Sequence, residues 1–199
     1  MAELVDAHDS KSCFARSEGS SPSPGTMDED EYLDLVDEND VVIGRKLRSE
    51  VYREELHNFR AIALYIVNKK GQLWIPRRTA QKSLFPLGLD MSCAGHVESG
   101  ETYEQALYRE AKEELGLDLD AHDVRLLGSQ TPQEGFSCFG RVYEILSDVS
   151  PRFNPEDFIT YYWLTPQEIL KKSDAGEVMK SDMRLQMHKF FMSGNIQPE

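Results

Sequence analysis

Gly95–Leu117 reads GHVESGETYEQALYREAKEELGL. At about 100° per residue, Tyr103, Leu107, Ala111 and Leu115 form one apolar stripe of a helix. Glu110 and Glu114 border that stripe, with Glu113 beside them. Thr102-x-x-Gln105 is a capping box that starts the helix, and Gly116 suits the left-handed turn that ends one. Glu110 meets Glu113 at i+3 and Glu114 at i+4, like-charge pairs that cost about 0.2–0.5 kcal/mol each on an exposed helix. Beside a buried stripe, ionised carboxylates cost far more. The helical wheel turns Arg109 and Lys112 largely towards the polar face, away from these acids. Two readings stand: a solvated acidic edge, or carboxylates that hold a hard divalent cation such as Mg²⁺ together with substrate phosphates.

Outward from this helix, Tyr32–Val36 and Val41–Leu47 read as two strands around Asp37-Glu-Asn-Asp. Residues 49–56 fit a short helix. Ala61–Val67 (AIALYIV) is almost wholly apolar, as expected of a central strand buried on both faces. Asn68-Lys-Lys-Gly turns it into Gln72–Arg78, its expected hairpin partner, and residues 81–88 are a loop. Further strands are expected at Val124–Leu127, Cys138–Leu146 and Phe158–Leu164. Thr165-Pro-Gln-Glu168 is a second capping box with Pro at the first helical position, and a last amphipathic helix spans roughly residues 181–192. Strands and helices interleave without internal repeats. The expectation is one α/β domain, a mixed sheet between helices.

Composition narrows the function. The 199 residues are 40% hydrophobic and carry a net charge of −13, which disfavours a basic-patch mode of binding nucleic-acid duplexes or anionic lipid. No apolar run reaches the ~18 residues of a membrane span, and the N-terminus lacks a signal-peptide core. Cys13, Cys93 and Cys138 are few, odd in number and widely spaced, which fits a reducing cytoplasm. Residues 1–26 are Ser- and Pro-rich and patternless, the composition of a tail. Glu18-Gly-Ser-Ser-Pro-Ser also back-translates to GAGGGTTCGAGTCCCTC, a self-complementary string resembling the T-arm of a transfer-RNA gene. The expected start is therefore Met27, with 27–199 as the domain.

The spacing Gly95, Glu101, Arg109-Glu110-Ala111, Glu113-Glu114, Gly116-Leu117 resembles the Nudix hydrolase box, Gx5Ex7REUxEExGU, where U is a bulky aliphatic. Every fixed position matches, and only Ala111 is small for its place. The resemblance implies an α/β/α sandwich and a loop–helix–loop that binds a diphosphate through Mg²⁺ or Mn²⁺. It makes Glu110, Glu113 and Glu114 metal ligands, with the carbonyl of Ala94 as a further one. Arg109 would orient a glutamate and Glu101 would brace the loop. Gly95 and Gly116 serve the backbone. A glutamate acts as general base, either Glu110 in the box or Glu134 in a later loop, with Glu156 behind it.

Over roughly residues 32–168 the chain also resembles the branch containing isopentenyl-diphosphate isomerase and its hydrolase-like relatives, with His57 before Arg60-Ala61 and with Gly95-His96. His57 and His96 are accordingly metal ligands, phosphate donors or plain turn histidines. The isomerase pattern has cysteine immediately before Gly-His. Here Ala94 stands there and Cys93 one residue earlier, on the face expected to point away from the site. Where relatives read FPGxWD this chain has Phe85-Pro-Leu-Gly-Leu-Asp90, so Leu89 replaces an aromatic. Arg77 and Arg78 end one strand and point to opposite sides, so one of them is a candidate for the substrate phosphates. The aromatics Phe158, Tyr161, Tyr162 and Trp163 are expected in the core. The complete box and Ala94 favour hydrolysis of a small-molecule diphosphate over isomerisation, and the retained glutamates favour catalysis over a non-catalytic nucleotide-binding module. The strands between Tyr32 and Leu47 are candidates for pairing across a homodimer.

Overall fold

The computed structural model describes residues 30–192; the extension 1–26 and the expected start at Met27 lie outside the described residues. Strands β1 (Tyr32–Val36) and β2 (Val42–Leu47) form an antiparallel hairpin, and α1 (Arg48–Arg53) follows. This pairing is within the chain, so it lends no support to a dimer built from these strands. β3 (Arg60–Val67), β4 (Leu73–Arg78), β5 (Cys93–His96), α2 (Tyr103–Leu115), β6 (Arg125–Gln130), β7 (Phe139–Leu146), β8 (Phe158–Leu164), α3 (Pro166–Asp174) and α4 (Met183–Gln186) complete the order. The main sheet runs β6-β7-β3-β4-β8 with β5 also on β3; β3–β7 is parallel and the other pairs antiparallel.

β3 is the axis of the fold. Ile62, Leu64 and Ile66 pack with Leu107, Ala111 and Leu115 of α2, while Ala63 and Tyr65 face Ile169 of α3 and Met183 of α4. Successive strand residues point to opposite faces, so an apolar run builds both cores of an α/β/α sandwich. Among the described residues no helix is long and apolar enough to cross a membrane.

Three expectations need correction. β4 pairs with β3 only at Val67–Leu73, and its long partner is β8. The 89–92 segment wedges the two strands apart. The Ser92 hydroxyl accepts from the Ile66 N–H at 2.9 Å and donates to the Trp74 carbonyl at 2.6 Å, and the Asp90 N–H donates to the Pro76 carbonyl at 3.0 Å. The wedge hands the edge of β3 to β5, which brings the Gly95 loop to the sheet centre. Second, the last helix is α-helical only over Met183–Gln186 and winds as a π-helix over Met187–Met192. Third, Phe158 is buried, but Tyr161 and Tyr162, on opposite faces of β8, are both partly exposed; Tyr161 stacks on Trp74, centroids 5.3 Å apart, and Tyr162 lies beside Arg77.

Candidate active site

The capping boxes form as expected. The Thr102 hydroxyl accepts from the Gln105 N–H at 3.2 Å, and the Gln105 side chain accepts from the Thr102 N–H at 2.8 Å. At the far end Gly116 sits at φ 59°, with Gly116 N–H on the Lys112 carbonyl and Leu117 N–H on the Ala111 carbonyl, the first being the bond of a left-handed helix cap. Tyr103, Ala106, Leu107, Ala111 and Leu115 are buried. Ala111 has no exposed surface and packs directly against the sheet.

The loop before α2 is tied down from three sides. Ser99 N–H donates to the Tyr32 carbonyl at 2.7 Å, and Asp34 accepts from the Ser99 hydroxyl at 2.6 Å and the Gly100 N–H at 3.0 Å. Glu101 accepts from the Glu98 N–H at 3.0 Å. Arg109 does not follow the helical wheel. Its long side chain folds back along the helix and forks onto Glu101 with two bonds of 2.9 Å, reaching the His96 carbonyl at 3.0 Å and Glu110 at 2.8 Å. Lys112 stays exposed. Gly95 has a single reason for its identity: a Cβ there would overlap the Glu110 carboxyl.

These elements border a cavity of about 470 Å³ lined by Glu110, Glu113 and Glu114, by the Ala94–His96 backbone, and by Arg78, Lys82 and Lys180 opposite. Glu114 accepts from the Ala94 N–H at 3.3 Å. In an antiparallel strand a residue's N–H and C=O point to the same side, so the Ala94 carbonyl also turns towards α2. Burial, with the charges of Asp90 and Glu110, pushes the Glu114 carboxyl up to about 8. Burial also raises Glu110, against the pull of Arg109. At both carboxyls burial outweighs the nearby cations, Arg109 and Lys180 at Glu110 and Lys180 at Glu114, and a hard divalent cation would add the positive charge that favours their ionised forms. The donor set therefore fits such an ion at Glu110 and Glu114. Among the described residues no three acidic, His or Cys side chains already converge on one point; Glu113 is 61% exposed and leans to Arg109 at 3.6 Å.

The other candidates separate clearly. Arg78 lines the cavity, ion-pairs with Asp90 and donates to the Leu84 carbonyl at 3.1 Å. Arg77 lies outside the lining, paired with Glu177 at 2.8 Å and over the Tyr162 ring. His96 lines the cavity with Nε2 at 2.9 Å from the Tyr52 hydroxyl, and burial lowers its pKa to about 3, so it is neutral. His57 lines the mouth, Nδ1 at 2.8 Å from the Ser137 carbonyl. Glu134 is placed outside the lining: it ion-pairs with Lys189 and accepts from the Thr131 N–H, and the Lys189 bond lowers its pKa. Glu156 is also outside, whereas its neighbours Asn154 and Asp157 line the cavity. Cys93 packs under α2 with no exposed surface and does not line the cavity; burial raises its thiol well above the usual value. Leu89 is core.

Sequence reasoning missed Asp90, Lys180, and the Lys82–Asp157 pair. Asp90 closes the FPLGLD stretch and was visible as a motif end. Lys180 carries no local signal at all.

A family model for the NUDIX domain matches residues 57–182. An uncharacterised Nudix hydrolase of Nostoc sp. is 51% identical over 166 residues, covering 83% of this chain and 98% of the relative. A Nudix hydrolase of Deinococcus radiodurans is 49% identical over 156 residues, covering 77% of this chain and 90% of the relative. The crystal structure of a Deinococcus radiodurans protein matches with a TM-score of 0.77 at 45% identity, covering 81% of this chain and 99% of that one. Relatives named isopentenyl-diphosphate Delta-isomerase match at 29% and 26% identity. Nudix hydrolases act on pyrophosphate-containing small molecules and generally use divalent metal cations, a chemistry that a paired-carboxylate helix facing a cationic rim is suited to support. The chain belongs to the Nudix hydrolase family.

Proposed function

We propose that this protein hydrolyses the diphosphate linkage of a nucleoside diphosphate derivative or a related X-linked diphosphate, with Mg²⁺ or Mn²⁺, in a reducing cytoplasm. The observation that carries the reading is the Glu110–Glu114 pair, both buried with raised pKa values and sharing one cavity with basic side chains. Glu110 and Glu114 would hold the cation, with Glu113 and the Ala94 carbonyl beside them. When bound, the cation supplies charge neutralisation on the phosphates and a more acidic water. Arg109, braced by Glu101, fixes the Glu110 rotamer, and Gly95 leaves room for its carboxyl. Arg78 binds phosphate oxygens, and His57, His96 and Tyr52 line the distal wall.

Glu110 is the general-base candidate in reach of the cavity. Glu134 is committed to Lys189, and a carboxylate with a lowered pKa is the weaker base. The inaccessible, poorly ionising Cys93 argues against an isomerase that needs a cysteine at the site. The full chain and its Glu114→Gln variant, incubated with Mg²⁺, provide the test. The panel is nucleoside triphosphates, ADP-ribose, NADH, coenzyme A, dinucleoside polyphosphates and isopentenyl diphosphate. Cleavage at a diphosphate bridge, lost in Glu114→Gln, is the expected result. Dimethylallyl diphosphate as the only product would overturn it, as would ligand binding without turnover.

A further inference from the structure

We propose that Lys180 is a phosphate-binding residue of this cavity and that Asp90 is the positioning residue that holds it beside Arg78. This rests on the reading of the cavity as a diphosphate site. Lys180 lies on the short segment between α3 and α4, far from the box in sequence. The backbone brings it there: Leu89 N–H donates to the Val178 carbonyl and Lys180 N–H donates to the Leu89 carbonyl, both at 2.9 Å. That ladder seats Lys180 next to Asp90, whose side chain is only 3% exposed.

Asp90 accepts from the Met91 N–H at 2.8 Å, ion-pairs with Arg78, and lies 3.4 Å from Lys180 Nζ. One buried carboxylate therefore serves two cations. The guanidinium of Arg78 already neutralises it, so the ammonium is a surplus charge, and its side chain is 29% exposed along the cavity lining. Other basic residues lining the cavity have partners of their own: Lys82 has Asp157, Arg141 has Glu104, and Arg109 has both Glu101 and Glu110. Burial acts to lower the Lys180 pKa, but Asp90, Glu114 and Tyr52 together outweigh it and leave the pKa raised. A fixed net positive charge opposite the α2 carboxylates is where a phosphate held against a cation at Glu110 and Glu114 presents its remaining oxygens. The guanidinium offers fixed paired donors and the ammonium a rotatable point charge, a combination suited to a tetrahedral anion.

The test separates binding from turnover. Binding of inorganic diphosphate is measured by calorimetry on the full chain in EDTA, where no cation sits at α2, with wild type, Lys180→Met and Lys180→Arg compared. The expected result is a loss of about 10- to 100-fold in affinity for Lys180→Met, with most of it regained in Lys180→Arg. Asp90→Asn weakens binding too, and adding Lys180→Met to it gives less further loss than in wild type, because the ammonium is no longer positioned. Thermal melts confirm that each variant is folded. Equal affinity of wild type and Lys180→Met overturns the assignment, as does no binding by wild type at millimolar diphosphate, or additive losses in the double variant. If binding behaves as expected but no diphosphate is hydrolysed, the proposed activity fails while this site stands.

Discussion

Glu114→Gln offers a sharp perturbation because its sign reverses with the metal. The folded protein holds the Glu114 carboxyl with a pKa of about 8, against an ordinary 4.5. An acid with a raised folded pKa costs the wild type nothing below 4.5. The cost then grows as pH rises towards 8, by about 1.4 kcal/mol per pH unit. At pH 7 it amounts to about 3 kcal/mol. Glutamine keeps an acceptor for the Ala94 N–H and carries no charge to desolvate. In EDTA at pH 7 the variant is therefore expected to be more stable than wild type, by about 1–3 kcal/mol once local relaxation is allowed for. At pH 4 the two should coincide. Saturating Mg²⁺ reverses the order: a ligand at a hundredfold its Kd stabilises the wild type by about 2.7 kcal/mol, and the variant has lost a ligand. Urea unfolding at pH 4, 7 and 8, with EDTA and with Mg²⁺, measures all of this. A variant that is less stable than wild type in EDTA at pH 7 would refute the reasoning, and so would equal stabilisation of both proteins by Mg²⁺.

Four further outcomes are expected. Gly95→Ala drives a methyl into the Glu110 carboxyl, costing about 1–3 kcal/mol and removing Mg²⁺-dependent stabilisation in a thermal melt. Arg109→Met strands Glu101 and Glu110; the half-buried site makes the cost about 2–3 kcal/mol in urea, and a milder loss than that of an exposed ion pair would contradict the geometry. Glu110→Gln should lower kcat by about 100-fold or more, while Glu134→Gln should leave kcat within a few fold; the reverse ranking would make the later loop the source of the base. Cys93 should resist thiol reagents at pH 8 until the chain unfolds, which peptide mapping after timed labelling reads directly.

Much of this was legible in the chain because it depends on local periodicity and capping. The α2 stripe, both capping boxes, the Gly116 stop and the doubly buried β3 are properties of a few adjacent residues. So is the box itself, since its spacing places Glu110 and Glu114 on one helix edge whatever the rest of the chain does. The π-wound end of the last helix escaped because its apolar periodicity resembles that of an α-helix. The reach of Arg109 escaped because a wheel places Cβ atoms, and a long side chain can cross to another face.

The amino-acid sequence by itself determined the α/β class, the helix that carries the box carboxylates and the family, since those follow from short-range pattern and spacing. Only the tertiary structure decided which arginine faces the cavity and which carboxylates are buried deeply enough for their pKa values to rise. It chose Arg78 over Arg77 because Ser92 and Asp90 wedge β3 from β4 and offer one strand face a buried carboxylate. It also brought Lys180 to that carboxylate through two backbone bonds between segments distant in sequence. Charge pairing of this kind depends on three-dimensional distance and dielectric, and neither is written in the order of the residues.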